Sequence, residues 1–375
     1  MKKILLYTIF VGVTLAILLN PALAVDYARN GLELCAEIII PSLFPFFVCS
    51  GLLIYSGFCQ VLAKIFEPVM KPVFGINGAG AAAFVLGIIS GYPLGALTAC
   101  QLYESSYVSK SEAERLLAFC NNSGPLFILG SIGVSLYHSP RAGIVLYAAH
   151  ILAALIVGIL FRFYQRGSYA APPARVETPD RSLGELFSAV LANSIQSILT
   201  VCGAVLFFSV VTNIVMQYLP LTAVLKPVVL GLFEFVTGIT ALSNTDLVLQ
   251  EKLVLSAAMV GFAGLSVHVQ VMGVVSRHML SLKPYLLGKV LHGAIAAFLT
   301  YVILQFVPVS APVFRSSAQA IHGGFAIGSL YSILTVLFVV LLCILCAGWL
   351  FLREWRRLDR TQKKRRLPTA AGSHK

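Results

Sequence analysis

The run LLAFCNNSGPLFILGSIGVSL, residues 116–136, decides how the rest of the chain is read. It is apolar enough to lie in a bilayer, yet Asn121-Asn122-Ser123-Gly124-Pro125 stands in its middle. Proline removes a backbone donor and clashes with the preceding turn, and glycine loosens the chain, so a regular helix is broken here. Hydrocarbon offers no partners to the freed N–H and C=O groups. Such a break is tolerated at membrane depth only against protein or a water-filled cavity. The pattern predicts a hairpin tip whose half-helices aim their ends at a central cavity. Exposed N–H groups at a half-helix start attract anions. The alternative is a short exterior loop between two half-length helices.

Composition agrees with a membrane setting. Of 375 residues, 58% are hydrophobic and 11% charged, with a mean hydropathy of +0.89. A soluble domain carries about a quarter charged residues, so this chain cannot clothe a water-soluble globule. A cytosolic enzyme, a disordered chain and a secreted disulfide scaffold are excluded. The apolar runs suit helices of about 20 residues rather than the alternation over about 10 that a β-barrel needs.

Net charge is +12, and residues 353–375 carry nine basic and two acidic side chains, seven of those twelve charges. A basic run directly after an apolar helix marks the cytoplasmic side, and this reading is preferred to a nucleic-acid site. The eight cysteines lie mostly in apolar stretches, as small hydrophobes. Cys343-Ile-Leu-Cys346 has CxxC spacing but no second ligand pair.

The expected organisation follows from hydropathy. Residues 1–30 read as a first transmembrane helix or signal-like anchor, with Asp26 to Glu33 outside. Residues 31–164 form a first repeat, 165–185 a cytoplasmic linker rich in Pro and charge, and 186–308 a second repeat. An outside loop and last helix cover 309–352, and a basic cytoplasmic tail covers 353–375. The connector with Lys64, Glu67 and Lys71 reads as amphipathic, and Glu104 to Arg115 as a polar loop. Gly87–Gly91 resembles Glu234–Gly238 at an offset of 147, and Ser123–Gly130 resembles Ser266–Gly273 at an offset of 143. Charge placement then puts both termini, the linker and an Arg277–Lys289 loop inside. The fold class expected is an all-α polytopic membrane protein of about eight transmembrane helices plus two re-entrant hairpins. The hairpins fall at the Asn121 and Ser266 segments and enter from opposite faces, and the three helices between the starts of the two copies, an odd number, make the internal repeat inverted.

Several residues are candidates for contact with a solute. Ser90-Gly91-Tyr92-Pro93 reads as a broken helix at a substrate site, or else as an ordinary kink packed against a neighbour. Asn121, Asn122, Ser123, Gly124 and Pro125 form the predicted tip. Ser266, His268 and Gln270 would line the opposite wall, although a lone His among apolar residues is commonly a packing residue. Thr237, Gly238 and Asn244 mark the second-half break. Intramembrane charge is costly and tends to be functional. Glu234 is therefore the candidate for taking up a proton or cation during transport, while Glu37 would snorkel at an interface. His150 and His292 fall in matching helices, where a proton relay or coincidence are both open. The chain has no Walker loop, HExxH, GxSxG or paired CxxC. No enzymatic activity, metal or cofactor is expected.

The runs PSLFPFFVCSGLL (41–53), GIISGYPLGA (87–96) and SEAERLLAFCNNSGPLFILGSIG (111–133) resemble the YlbJ family of sporulation integral membrane proteins, also called SpoVV. The likeness extends from about residue 30 to 305 and is strongest in the first half. The second half departs from it, with Leu265-Ser266-Val267-His268 where the Asn-Asn-Ser-Gly-Pro tip would stand. Such proteins contain a nucleoside recognition, or Gate, domain similar to segments of concentrative nucleoside transporters and ferrous-iron transporters. The resemblance implies transport of dipicolinic acid across the outer forespore membrane. The partners are then the lipid bilayer and a small anionic substrate, with oligomeric state left open. Amide donors from Asn121 and Asn122, the Ser123 hydroxyl and a stacking Tyr92 ring suit a flat pyridine dicarboxylate. A nucleoside or other small polar solute is the second reading. A membrane scaffold working through its basic tail is the third.

Overall fold

The computed structural model describes residues 2–55, 58–165, 182–307 and 309. Most of the predicted linker, nearly all of the outside loop, the last helix and the basic tail lie outside the described residues. Among the described residues every regular element is helical. Five stretches are long and apolar enough to cross a membrane: Pro21–Leu53, Pro140–Phe161, Leu183–Gln217, Leu249–His278 and Lys283–Phe306.

Helix α1 (Lys2–Leu19) leads into α2 (Pro21–Leu34). A wide π-helical turn at Cys35–Ile39 joins α2 to α3 (Ile40–Tyr55). Residues Asp26 to Glu33, expected outside the membrane, belong to α2, which Pro21 starts at its first position. Helix α4 (Phe58–Val69) is the amphipathic connector.

Helices α5 (Gly80–Ser90) and α6 (Leu94–Glu104) pack side by side. A Cβ on Gly87 would lie 3.1 Å from the Gly95 Cα. In a straight helix residues eight apart stand about 12 Å apart, so the chain reverses between them. Gly91, at φ 85°, takes the turn that an L side chain resists. Eleven residues make about 16 Å of helix, half of a hydrocarbon core of about 30 Å.

The second half does the same. Helices α10 (Leu225–Phe233) and α11 (Phe235–Ser243) reverse at Glu234, and Gly238 packs directly on Gly231. The reversals therefore fall at Gly91–Pro93 and at Glu234, and not at Asn121 and Ser266 as expected from sequence.

The Asn121 and Ser266 segments do something else. Helix α7 (Lys110–Leu117) ends in an irregular stretch through Gly124, and a π-helical segment, Leu126–Leu136, follows. The latter packs along α8 (Pro140–Phe161), while α7 packs on α6. Helix α12 (Leu249–Phe262) likewise breaks at Ala263 and Gly264, both left-handed, before α13 (Gly264–Val275). These are interrupted through-going segments. The long helices α9 (Leu183–Gln217) and α14 (Lys283–Phe306) complete the described part.

Two more expectations change. The polar run near Glu112 is no loop. A capping box between Ser109 and Glu112 starts α7 there, and Glu112, Glu114 and Arg115 are buried. Glu114 accepts from Ser281 N at 2.9 Å and from the Tyr164 hydroxyl at 3.1 Å. Burial and this carboxylate push the Tyr164 hydroxyl up from its usual range. The second change concerns Lys289, which belongs to α14 and is buried rather than looped.

Close helix approach rests on small residues. Gly133 meets Gly143, and Gly261 meets Gly293, where a Cβ would stand 2.6 Å from the facing Cα. Large apolar side chains such as Ile144, Leu160, Leu199 and Phe298 point outward instead. Water would oppose that arrangement, and lipid tails accept it.

Candidate functional site

All four interruptions meet. A Cβ on Gly91 would lie 3.1 Å from Gly124 N, so the first hairpin turn rests on the first interrupted segment. One on Gly264 would lie 3.2 Å from Phe235 N, so the second pair repeats the contact. Tyr92 links the halves: its hydroxyl donates to Val260 O at 2.7 Å, and its ring meets Phe235 edge-on at 5.6 Å. The Tyr92–Pro93 peptide is cis.

Between the two turns lies a cavity of about 30 Å³. Gly91, Tyr92, Ser123 and Gln270 contribute its polar and backbone wall, and Val201 and Val205 of α9 part of its apolar wall. Space of that size holds a water or two, not an aromatic ring.

A buried polar layer lies beside it. Ser123 N donates to His150 Nε2 at 3.0 Å, and His292 Nε2 donates to His150 O at 2.9 Å, with the rings stacked at 4.3 Å. A carbonyl only accepts, so His292 carries a proton on Nε2. A neutral His150, whose Nε2 accepts, carries its proton on Nδ1. Lys289 Nζ donates to Asn121 O at 3.1 Å and sits 5.1 Å from the Tyr92 ring centroid. His268 Nδ1 and the Tyr285 hydroxyl are 2.9 Å apart. Asn122 Nδ2 donates to Phe119 O at 2.8 Å. Both amide atoms of Asn121 are buried without a hydrogen-bond partner, as are Asn122 Oδ1 and His268 Nε2.

Most residues singled out from sequence gather here. Ser90, Gly91, Tyr92 and Pro93 form the first turn, and Asn121, Asn122, Ser123, Gly124 and Pro125 the irregular stretch beside it. Ser266 and Gln270 lie on α13, linked at 3.5 Å, and only Gln270 lines the cavity. Glu234 is buried at the second turn, where its two carboxylate oxygens accept from Val236 N and Thr237 N at 3.1 and 2.6 Å. It caps α11. Thr237 donates its amide to that cap, and Gly238 serves helix packing. Asn244 is exposed at the far end of α11, about 13 Å along the helix from the turn. Sequence reasoning missed Lys289, Phe235 and the α9 wall. A signal existed for Lys289, a charge inside the apolar helix LLGKVLHGAIAAF, residues 286–298.

Long apolar helices with outward apolar faces, around two helical hairpins and two interrupted segments, define an integral membrane protein of the helical class. A model of the nucleoside recognition (Gate) family matches residues 36–172. The sporulation integral membrane protein YlbJ of Bacillus subtilis (strain 168) is 31% identical over 345 residues, 82% of this chain and 84% of that protein. The chain belongs to the YlbJ family of sporulation integral membrane proteins. No solved structure matches it.

Proposed function

We propose that the protein is a membrane transporter of a small anionic metabolite, and that it is neither an enzyme nor a cofactor carrier. Dipicolinic acid is the solute that family membership suggests, carried across the outer forespore membrane. The carrying observation is the convergence of both hairpin turns, the first helix break at Ser123 and the helix that follows the second break on one cavity, beside the unpartnered Asn121 amide. Freed backbone groups at membrane depth are what a solute site needs and what plain packing avoids. We read the succession of hairpin, interrupted segment and long helix, present in each half, as inverted copies that rock against each other. The cavity is too small for the solute as it stands, and we read this conformation as a closed step of that cycle. Eight spans with both termini cytoplasmic complete the reading, and Glu234 is its coupling residue.

The name of the matched family favours a second cargo, a nucleoside, whose base would stack against Tyr92 or Phe235. Uptake of labelled dipicolinate into liposomes holding the full chain, with unlabelled nucleoside as competitor, separates the two. The double variant Asn121→Ala with Asn122→Ala should lose uptake while remaining folded in the membrane. Unchanged uptake by that variant would remove the site.

A further inference from the structure

Lys289 is 1% exposed. Among the described residues no carboxylate pairs with it. The buried acids are engaged elsewhere: Glu234 caps α11, Glu112 caps α7, and Glu114 holds Ser281 N and the Tyr164 hydroxyl. An ammonium has three donors, and Lys289 gives one of them to Asn121 O. A buried charge with so little compensation is expensive unless the amine gives up its proton or something else supplies the counter-charge.

The surroundings say what that is. The Asn121 side-chain amide and His268 Nε2 are buried without partners in the same layer. The Tyr92 ring, which lines the cavity, lies against the ammonium, 5.1 Å from its centroid. The ring is held edge-on by Phe235 and by the hydrogen bond from its hydroxyl to Val260 O. We propose that Lys289 is the fixed cation of the solute site. It binds a carboxylate of the cargo together with the Asn121 amide, and Tyr92 is the gate between cavity and cation. The ring holds the ammonium by a cation–π contact in the closed state. It gives way to a carboxylate when its hydroxyl leaves Val260. This deepens the transport reading above and rests on it: the cargo class becomes carboxylates, and neutral nucleosides fall outside it.

Equilibrium binding to the purified full chain tests the proposal, with pyridine-2,6-dicarboxylate and the neutral pyridine-2,6-dimethanol as probes. Wild type should prefer the dicarboxylate. Lys289→Gln should weaken dicarboxylate binding by roughly tenfold or more, leave the neutral probe unchanged, and be largely rescued by Lys289→Arg. Tyr92→Phe keeps the ring and frees it from Val260, so it should bind the dicarboxylate about three- to tenfold tighter. The proposal is overturned if wild type shows no preference, or if Lys289→Gln binds the dicarboxylate within about twofold of wild type. It is overturned equally if Tyr92→Phe, the variant with the least effect on packing, binds no tighter. Liposome uptake is scored separately. A protein that binds the dicarboxylate through Lys289 but moves none refutes transport and leaves the binding site standing.

Discussion

The Tyr92 hydroxyl, at the turn of the first hairpin, donates to the carbonyl of Val260 in the second half at 2.7 Å. These residues are 168 positions apart in sequence. The contact ties a hairpin turn to the last residues before the α12 break, so the two halves share one buried joint. Phe235 at the other turn packs against the same ring. Movement of one half against the other has to part this joint first.

The Gly87 and Gly95 Cα atoms both cradle the Cys120 carbonyl, where a Cβ on either would collide with that oxygen. Gly95→Ala should therefore displace backbone, at a cost of about 1–3 kcal/mol. A lowered melting temperature of the detergent-purified protein is the readout.

His150 accepts the Ser123 amide inside the protein, so its removal strands a buried N–H. His150→Phe should cost about 1–3 kcal/mol in stability. His150→Gln, which retains an acceptor, should recover part of it. Thermal unfolding of the two variants side by side makes the comparison.

Glu234 both caps α11 and is the proposed coupling residue. Glu234→Ala should lose about 1–2 kcal/mol as a cap. Glu234→Gln keeps one acceptor and loses the charge. It should load solute normally, yet no longer respond to an imposed proton gradient in liposomes. A gradient response equal to wild type would leave Glu234 as a cap alone.

Glu114 joins the start of α14 to the end of α8 through Ser281 N and the Tyr164 hydroxyl. Glu114→Ala should cost about 1–3 kcal/mol by orphaning both donors, read by thermal unfolding. Tyr164 responds to pH in a defined direction. Its folded-state pKa is raised, so the unfolded chain ionises first. The Tyr164 contribution is whole below about pH 10, the unfolded value, and declines above it. Tyr164→Phe should flatten that alkaline decline.

Much of the site was legible in sequence because its signals are local. A Gly-Tyr-Pro and an Asn-Asn-Ser-Gly-Pro inside apolar runs break helices wherever they occur, and both lie at the cavity. Glu234 was also visible as a charge within a break. The hairpin reversals were misassigned because local chemistry marks an interruption without stating its angle. The same glycine and proline vocabulary serves a reversal at Gly91 and a through-going break at Gly124. Only packing tells them apart, with Gly87 against Gly95 in one case and the 126–136 segment against α8 in the other.

Hydropathy and charge count alone established a helical membrane protein, since 11% charged residues cannot cover a soluble surface. They also set where the helices fail, since backbone donors and φ angles are properties of single residues. What lies opposite each failure was decided by tertiary structure. Lys289 and Asn121, 168 residues apart, became neighbours because small residues let α14 come close: Gly288 on Ala118, and Gly293 on the α12 backbone at Gly261. Van der Waals contact between distant segments has no signature in a linear pattern, and that contact put a cation beside the break.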